Sequence, residues 1–232
     1  MRQALFVGLA LLLIGCDRRR SSGEMVTEQK SASVAKAEIL RAEIKMAAGE
    51  LTVEGGGKGE VSADFRHIKD DPAPTFTFDN TSFRARLTIA QTSKDGINFA
   101  GGENRWSVKL ADGLATDLSV NLGAGEAKLR LGTLNLRSVS LNIGAGKVNA
   151  DFTGQPMNDY EVKIRGGVGE CEVLLPKGVG IRAEVQGGIG SIDVQGLEKK
   201  NGVYENAEFT SGKVKIRLSA HGGIGEIKII VK

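Results

Sequence analysis

The sequence predicts an all-β chain whose body is a β-solenoid-like or strongly rolled β-repeat domain. Three observations predict it: short runs in which apolar and polar residues alternate, a glycine-centred phrase written six times, and a spacing near 21 residues between several of its copies. Alternation with period two marks strands with one buried face. A fixed repeat in constant register marks units that stack on one another. A two-sheet β-sandwich built from the same hairpins is the alternative this pattern leaves open.

The chain opens MRQALFVGLALLLIGC, in which Arg2 precedes an apolar or glycine run over 4–14 and Leu13-Ile14-Gly15-Cys16 fits a lipobox. Such a run is shorter than the roughly 20 residues a membrane-spanning helix needs and has the length of a signal-peptide core. The expectation is export, a lipid on Cys16 and cleavage before it. Residues 1–15 then form the signal peptide, 16–36 the lipidated cysteine and a flexible tether, and 37–232 one β-repeat domain. The expected location is extracytoplasmic, lipid-anchored to a bacterial membrane through Cys16, with Asp17 leaving inner against outer membrane open. Loss of Arg2 leaves 30 basic groups against 28 acidic ones, a balance that gives no reason to expect a nucleic-acid partner. Arg18-Arg19-Arg20 sits where it would touch anionic headgroups or simply begin a solvated tether. Cys171 is the other cysteine, and with Cys16 lipidated no disulfide framework forms within the chain.

From about Ala37 the strands follow, as in Leu118-Ser-Val120-Asn-Leu122 and Val139-Ser-Leu141-Asn-Ile143. The six copies of the phrase align on Gly49, Gly125, Gly146, Gly169, Gly190 and Gly225, with gaps of 76, 21, 23, 21 and 35 residues. Two places later stand Leu51, Ala127, Val148, Cys171, Ile192 and Ile227, and four places later Val53, Leu129, Ala150, Val173, Val194 and Ile229. The intervening column is polar: Glu50, Glu126, Lys147, Glu170, Ser191 and Glu226. Each copy is the same strand with the same inside and outside. Stacked about 4.8 Å apart, the apolar columns become ladders of one core, and Glu126–Lys147–Glu170 alternates in sign. The glycines are expected at corners, where a positive φ or a crowded neighbouring coil excludes a Cβ.

Two stretches break the rhythm. In the long first gap, PTFTFDN and SFRARLTIAQ read as a hairpin turning at Asp79-Asn80-Thr81, and NRWSVKLADG adds a strand. The second, LEKKNGVYENAEFTS over 197–211, precedes the last copy. Excursions from a repeat often carry binding surfaces, which makes Trp106, Tyr204 and Asn206 the candidate interaction residues.

The glycines themselves promise no chemistry. A dinucleotide loop needs a helix after its glycines, whereas strands follow here, so no nucleotide is expected. The calcium nonapeptide needs an oxygen ligand at its sixth place, and that place holds Cys171, Ile192 or Ile227. Cys171, flanked by Glu170 and Glu172, reads as a small buried hydrophobe. His67 and His221 lack a second His or Cys at ligand spacing and read as surface-loop residues. A hydrolase reading with His67, Asp70 and Asp71 is the least supported, because no nucleophile motif accompanies them. No catalytic residue, metal or cofactor is expected.

The ordered set NRWSVKLADGLATDLSVNLGAGEAKLRLGTLNLRSVSLNIGAGKVNADF, then GGVGECEVLLPKGVGIRAEVQGGIGSIDVQGL, then NGVYENAEF and a terminal G-x-G strand, resembles the toast-rack family of bacterial envelope proteins. It is similar also to the C-terminal domain of LiaF-like proteins, membrane-bound negative regulators of a cell-wall stress response. In those proteins the domain follows transmembrane helices; here a lipid anchor is expected in their place. The resemblance implies no catalytic residues. The expected function is a non-catalytic scaffold or binding module for an envelope protein or polymer, with a LiaF-like envelope-stress regulator as the alternative.

Overall fold

The structure is a computed structural model that describes residues 24–69, 71–91 and 104–232. Asp70 and the segment 1–23 with Cys16 lie outside the described residues. In chain order the strands are β1 (Met25–Ser33), β2 (Ile39–Gly57), β3 (Glu60–Ile68), β4 (Thr75–Thr81), β5 (Arg84–Ala90), β6 (Arg105–Ala111), β7 (Ala115–Arg130), β8 (Asn135–Asp151), β9 (Tyr160–Leu175), β10 (Gly180–Gln186), β11 (Ile189–Gln195), β12 (Glu198–Lys200), β13 (Val203–Glu205) and β14 (Lys215–Val231). A single helical turn, α1 (Glu208–Ser211), precedes the last of them. All fourteen strands join one sheet, so the chain is the solenoid-like all-β form and not two separate sheets.

The long strands are the coils. In β7 the buried residues are Thr116, Leu118, Val120 and Leu122, and then Ala127 and Leu129. Even positions face inward before Gly125 and odd positions after it. A straight strand cannot change parity, so the chain turns a corner there, and each coil is two limbs joined at a glycine. Gly49, Gly125, Gly146, Gly169, Gly190 and Gly225 all adopt positive φ, between +128° and +141°. A second constraint acts at the same place. A Cβ built on Gly146 would lie under 3.0 Å from the carbonyl oxygen of Gly125, and one on Gly169 would meet that of Gly146 in the same way. Handedness and crowding both select glycine.

Parallel pairing puts the aligned columns in register. Ala127 faces Val148, Val148 faces Cys171, and Cys171 faces Ile227, which faces Ile192. The next inward column, Leu129, Ala150, Val173 and Ile229, is fully enclosed. First-limb ladders such as Ile44–Val120–Leu141–Ile164–Ala220 complete the core. Burying each large aliphatic stabilises the fold by about 1.5–3 kcal/mol. Outside, Lys147 Nζ lies 3.1 Å from Glu170, the alternation in sign that the sequence suggests.

The spatial order departs from the chain order at both ends. The stack runs β5 with β6, then β2, β7, β8, β9, β14, and finally β10 with β11. The last strand is therefore inserted as the penultimate rung, and Glu226 sits beside Glu170 where sequence order would place Ser191. The gap of 76 residues is a detour in which β3–β6 build and cap the far side of β2 before β7 returns to its near side. Two further expectations need correction. Met25–Ser33, expected in the tether, is a strand paired along its whole length with β3. The hairpin of β4 and β5 turns at Ser82-Phe83, the two residues directly after Asp79-Asn80-Thr81, because Ser82 takes the positive φ of 66°.

Candidate functional site

The residues singled out from sequence are mostly architectural. Trp106, expected at an interaction surface, is fully buried. Its ring meets Phe65 edge-on at 5.4 Å, and its Nε1–H donates to Asn104 Oδ1 at 2.7 Å. Asn206 is a clamp: its Oδ1 accepts from the Ile181 N–H and its Nδ2 donates to the Val179 carbonyl, both at 2.8 Å. Half-buried Tyr204 packs against the core beneath Lys199. The 197–211 excursion thus supplies β12, β13 and α1 as a cap over β10, tied by the Arg182–Glu205 pair.

His67 is not a loop residue either. It is buried in β3, where Nδ1 lies 2.8 Å from the Ile68 carbonyl and so carries the donated proton. Nε2 faces Glu28 of β1 at 3.7 Å. The Asp71 N–H donates to the Ile68 carbonyl, and no serine or cysteine is bonded to His67 among the described residues. His221 is exposed on β14, 3.4 Å from the Ser219 hydroxyl. Cys171 is half-buried, and burial pushes its thiol up to about 12. Among the described residues no cluster of His, Cys, Asp and Glu has the arrangement to hold a metal ion.

What stands out instead is the corner of the last three coils. In the first three, the corner reads Met46-Ala-Ala-Gly49, Leu122-Gly-Ala-Gly125 and Ile143-Gly-Ala-Gly146. Met46, Leu122 and Ile143 point inward and are buried. In the others it reads Gly166-Gly-Val-Gly169, Gly222-Gly-Ile-Gly225 and Gly187-Gly-Ile-Gly190. The buried aliphatic has become glycine, and the alanine two places on has become valine or isoleucine. Aliphatic volume has moved from a buried place to an exposed one.

Two features result. Outside, Val168, Ile224 and Ile189 pair in register across β9, β14 and β11 and are 54%, 52% and 74% exposed. Beside the ridge, Ile227 and Ile192 lean toward Gly222 and Gly187, and an apolar cleft of about 80 Å³ lies between the ridge, the glycine corners and Ile143, Val148 and Ile164. Of the six exposed large apolar residues described, four (Val168, Ile189, Ile192 and Ile224) cluster here, and a contiguous patch of this kind marks an interaction site in a way that scattered ones do not. Arg165 and His221 flank the ridge on the first limb, and Glu170 and Glu226 on the second. An exposed apolar ridge beside an apolar cleft is suited to binding.

Comparison with known proteins agrees with the architecture. Residues 20–174 match the family described as "N-terminal domain of toast_rack, DUF2154". The chain is similar to a solved structure described as a "putative cell adhesion protein" from Clostridium sporogenes ATCC 15579, at 26% identity and a TM-score of 0.82, over 90% of this chain and 100% of that one. It also aligns with a "putative adhesin" from Parabacteroides distasonis ATCC 8503 at 12% identity over 91% of this chain and 98% of that one, with a TM-score of 0.27, too low to carry an argument. No curated protein matches. With the family match spanning the coils from β1 through most of β9, and the ladder of corner glycines behind it, the chain belongs to the toast-rack family.

Proposed function

We propose that this protein is a non-catalytic binding module of the bacterial cell envelope, held at the extracytoplasmic face of a membrane by a lipid on Cys16. The β-stack is its scaffold, and the corner of the last three coils meets a partner protein or polymer. One observation carries the reading: the ridge Val168–Ile224–Ile189 stands exposed beside an apolar cleft, whereas the same corner in the earlier coils buries its large aliphatics Met46, Leu122 and Ile143. Exposing three aliphatic side chains costs a monomer stability and solubility unless another surface covers them. The similarity to the "putative cell adhesion protein" supports the same class of role.

A photo-crosslinking amino acid at Ile224 tests the surface in intact cells, with Glu161, exposed on the first limb of β9, as control. The expected result is one defined envelope component captured from Ile224 and not from Glu161. Identical adducts from both positions, or none from either, would refute the proposed surface. The anchor has its own test: labelling by a fatty-acid analogue should disappear in Cys16→Ala, and labelling that persists would remove the lipid from that residue.

A further inference from the structure

The two ends of the stack are finished differently. Each end presents two limb edges, and three of the four carry an antiparallel strand: β4 lies on β5, β3 on β6 and β13 on β10. The fourth is β11. Among the described residues it pairs with β14 alone, so one side of Ile189–Gln195 presents unpaired backbone donors and acceptors. Such edges are normally blunted by Lys, Pro or a bulge. This one reads IGSIDVQ, with Asp193 its single charge. The missing neighbour also shows in the core: Ile192 is 40% exposed where its ladder mate Ile227 is 5% exposed.

We propose that β11 is a self-association edge, pairing antiparallel with β11 of a second copy about a two-fold axis at Ile192. The register follows from the residues. Inward Ile192 and Val194 must meet inward positions, because a shift by one would turn the apolar set to solvent. Centring on Asp193 would set the two aspartates face to face, which is unfavourable. Centring on Ser191 would put Ile192 against Gly190 and leave Val194 without a partner. Centring on Ile192 places Ile192 on its own copy, Val194 opposite Gly190, and each Asp193 opposite a Ser191 hydroxyl that donates to it. The strand is thus self-complementary in apolar pattern and in charge, as an isologous contact requires. A strand of parallel sense would instead have to supply its own glycine against Gly190, as β2, β7, β8, β9 and β14 do for one another.

Sedimentation of the full chain in mild detergent, across micromolar concentrations, is the test. The expected species is a dimer. Ser191→Asp should weaken it by about tenfold or more, because Asp then faces Asp193 twice, each such contact adding like-charge repulsion. Adding Asp193→Ser to that variant restores an Asp opposite a Ser and should recover the dimer. Both positions lie on the outward face beside Glu226 and Lys228 of β14, so circular dichroism and the melting temperature of each variant are compared with the parent to show that the fold is kept. In a Cys171→Ala background, Ile192→Cys should form a disulfide-linked pair under mild oxidation and Glu161→Cys should not. A chain that stays monomeric, a dimer indifferent to Ser191→Asp, a double variant that fails to recover, or assemblies that lengthen with concentration would each overturn the proposal, the last in favour of head-to-tail stacking.

Discussion

Three glycine-to-alanine substitutions separate the two constraints that act on the corners. Gly113 has a φ of +83° with nothing within 4 Å of the place a Cβ would take, so Gly113→Ala tests handedness alone. Gly144 has no positive φ, but its Cβ would lie under 3.0 Å from the Gly123 carbonyl oxygen, so Gly144→Ala tests crowding alone. Gly146 has φ +134° and the same crowding against Gly125, so Gly146→Ala carries both. Left-handed backbone costs an alanine about 1–2 kcal/mol. Forcing two coils apart by a methyl group costs about 1–3 kcal/mol. The expected losses are therefore about 1, 2 and 4 kcal/mol, read as shifts of the denaturant midpoint at constant slope. Crowding by backbone is the costlier form, because a neighbouring coil cannot rotate away as a side chain does. Equal losses for Gly113→Ala and Gly146→Ala, or no loss for Gly144→Ala, would refute the claim that coil-to-coil contact selects the glycines.

Other consequences are as direct. The single tryptophan, Trp106, should emit at short wavelength and resist iodide quenching, and Trp106→Ala should cost about 3–5 kcal/mol; emission typical of water would contradict its burial. Asn206→Ala removes two hydrogen bonds that hold the 197–211 cap, a loss of about 2 kcal/mol that hydrogen exchange should localise to β12, β13 and β10. Burial raises the Cys171 thiol from 9.0 to about 12, so the folded state favours the protonated form. Its contribution to stability is complete below pH 9 and declines as pH rises toward 12, and Cys171→Ala should flatten that alkaline decline.

Much of this architecture is legible because the repeat states inside and outside twice per coil. The columns headed by Leu51 and Val53 are apolar in every copy, and they are the buried ladders up to the end of the stack, where Ile192 is exposed. Trp106 reads as a surface residue from its place in an excursion, yet the contrary signal is there: it shares strand parity with Val108 and Leu110, both fully buried. The candidate site is legible too, in the exchange of Leu-Gly-Ala-Gly for Gly-Gly-Ile-Gly, but only as a difference between copies. Reading the copies for their sameness conceals it. The clamp at Asn206 leaves no such trace, since a single side chain bonding backbone 25 and 27 residues away has no sequence pattern. β1 is hidden for a related reason: as an edge strand on β3 its faces alternate only weakly, with Glu28, Gln29 and Lys30 in succession.

The order of the coils is the hardest feature to read, and the reason is physical. Parallel ladders of like residues are degenerate: a coil offering Gly225, Ile227 and Ile229 packs as well on Gly169, Cys171 and Val173 as on Gly190, Ile192 and Val194, and in the fold it packs on both. Pairing energy cannot choose the order, so the connections must. Pro176-Lys177-Gly178 joins β9 to β10 with a short turn, which would favour direct stacking of neighbours, and β14 nevertheless separates them. Its insertion gives Glu172 and Asp193 a shared neighbour in Lys228, where direct stacking would have set the two acidic residues together. The same insertion sets Glu226 beside Glu170 and Arg217 beside Arg182, so charge on the outer face leaves the order as open as the core does. It follows that β14 is an interior part of the wall, and that the end of the stack, with its cleft and its bare edge, is complete only once β14 has entered it.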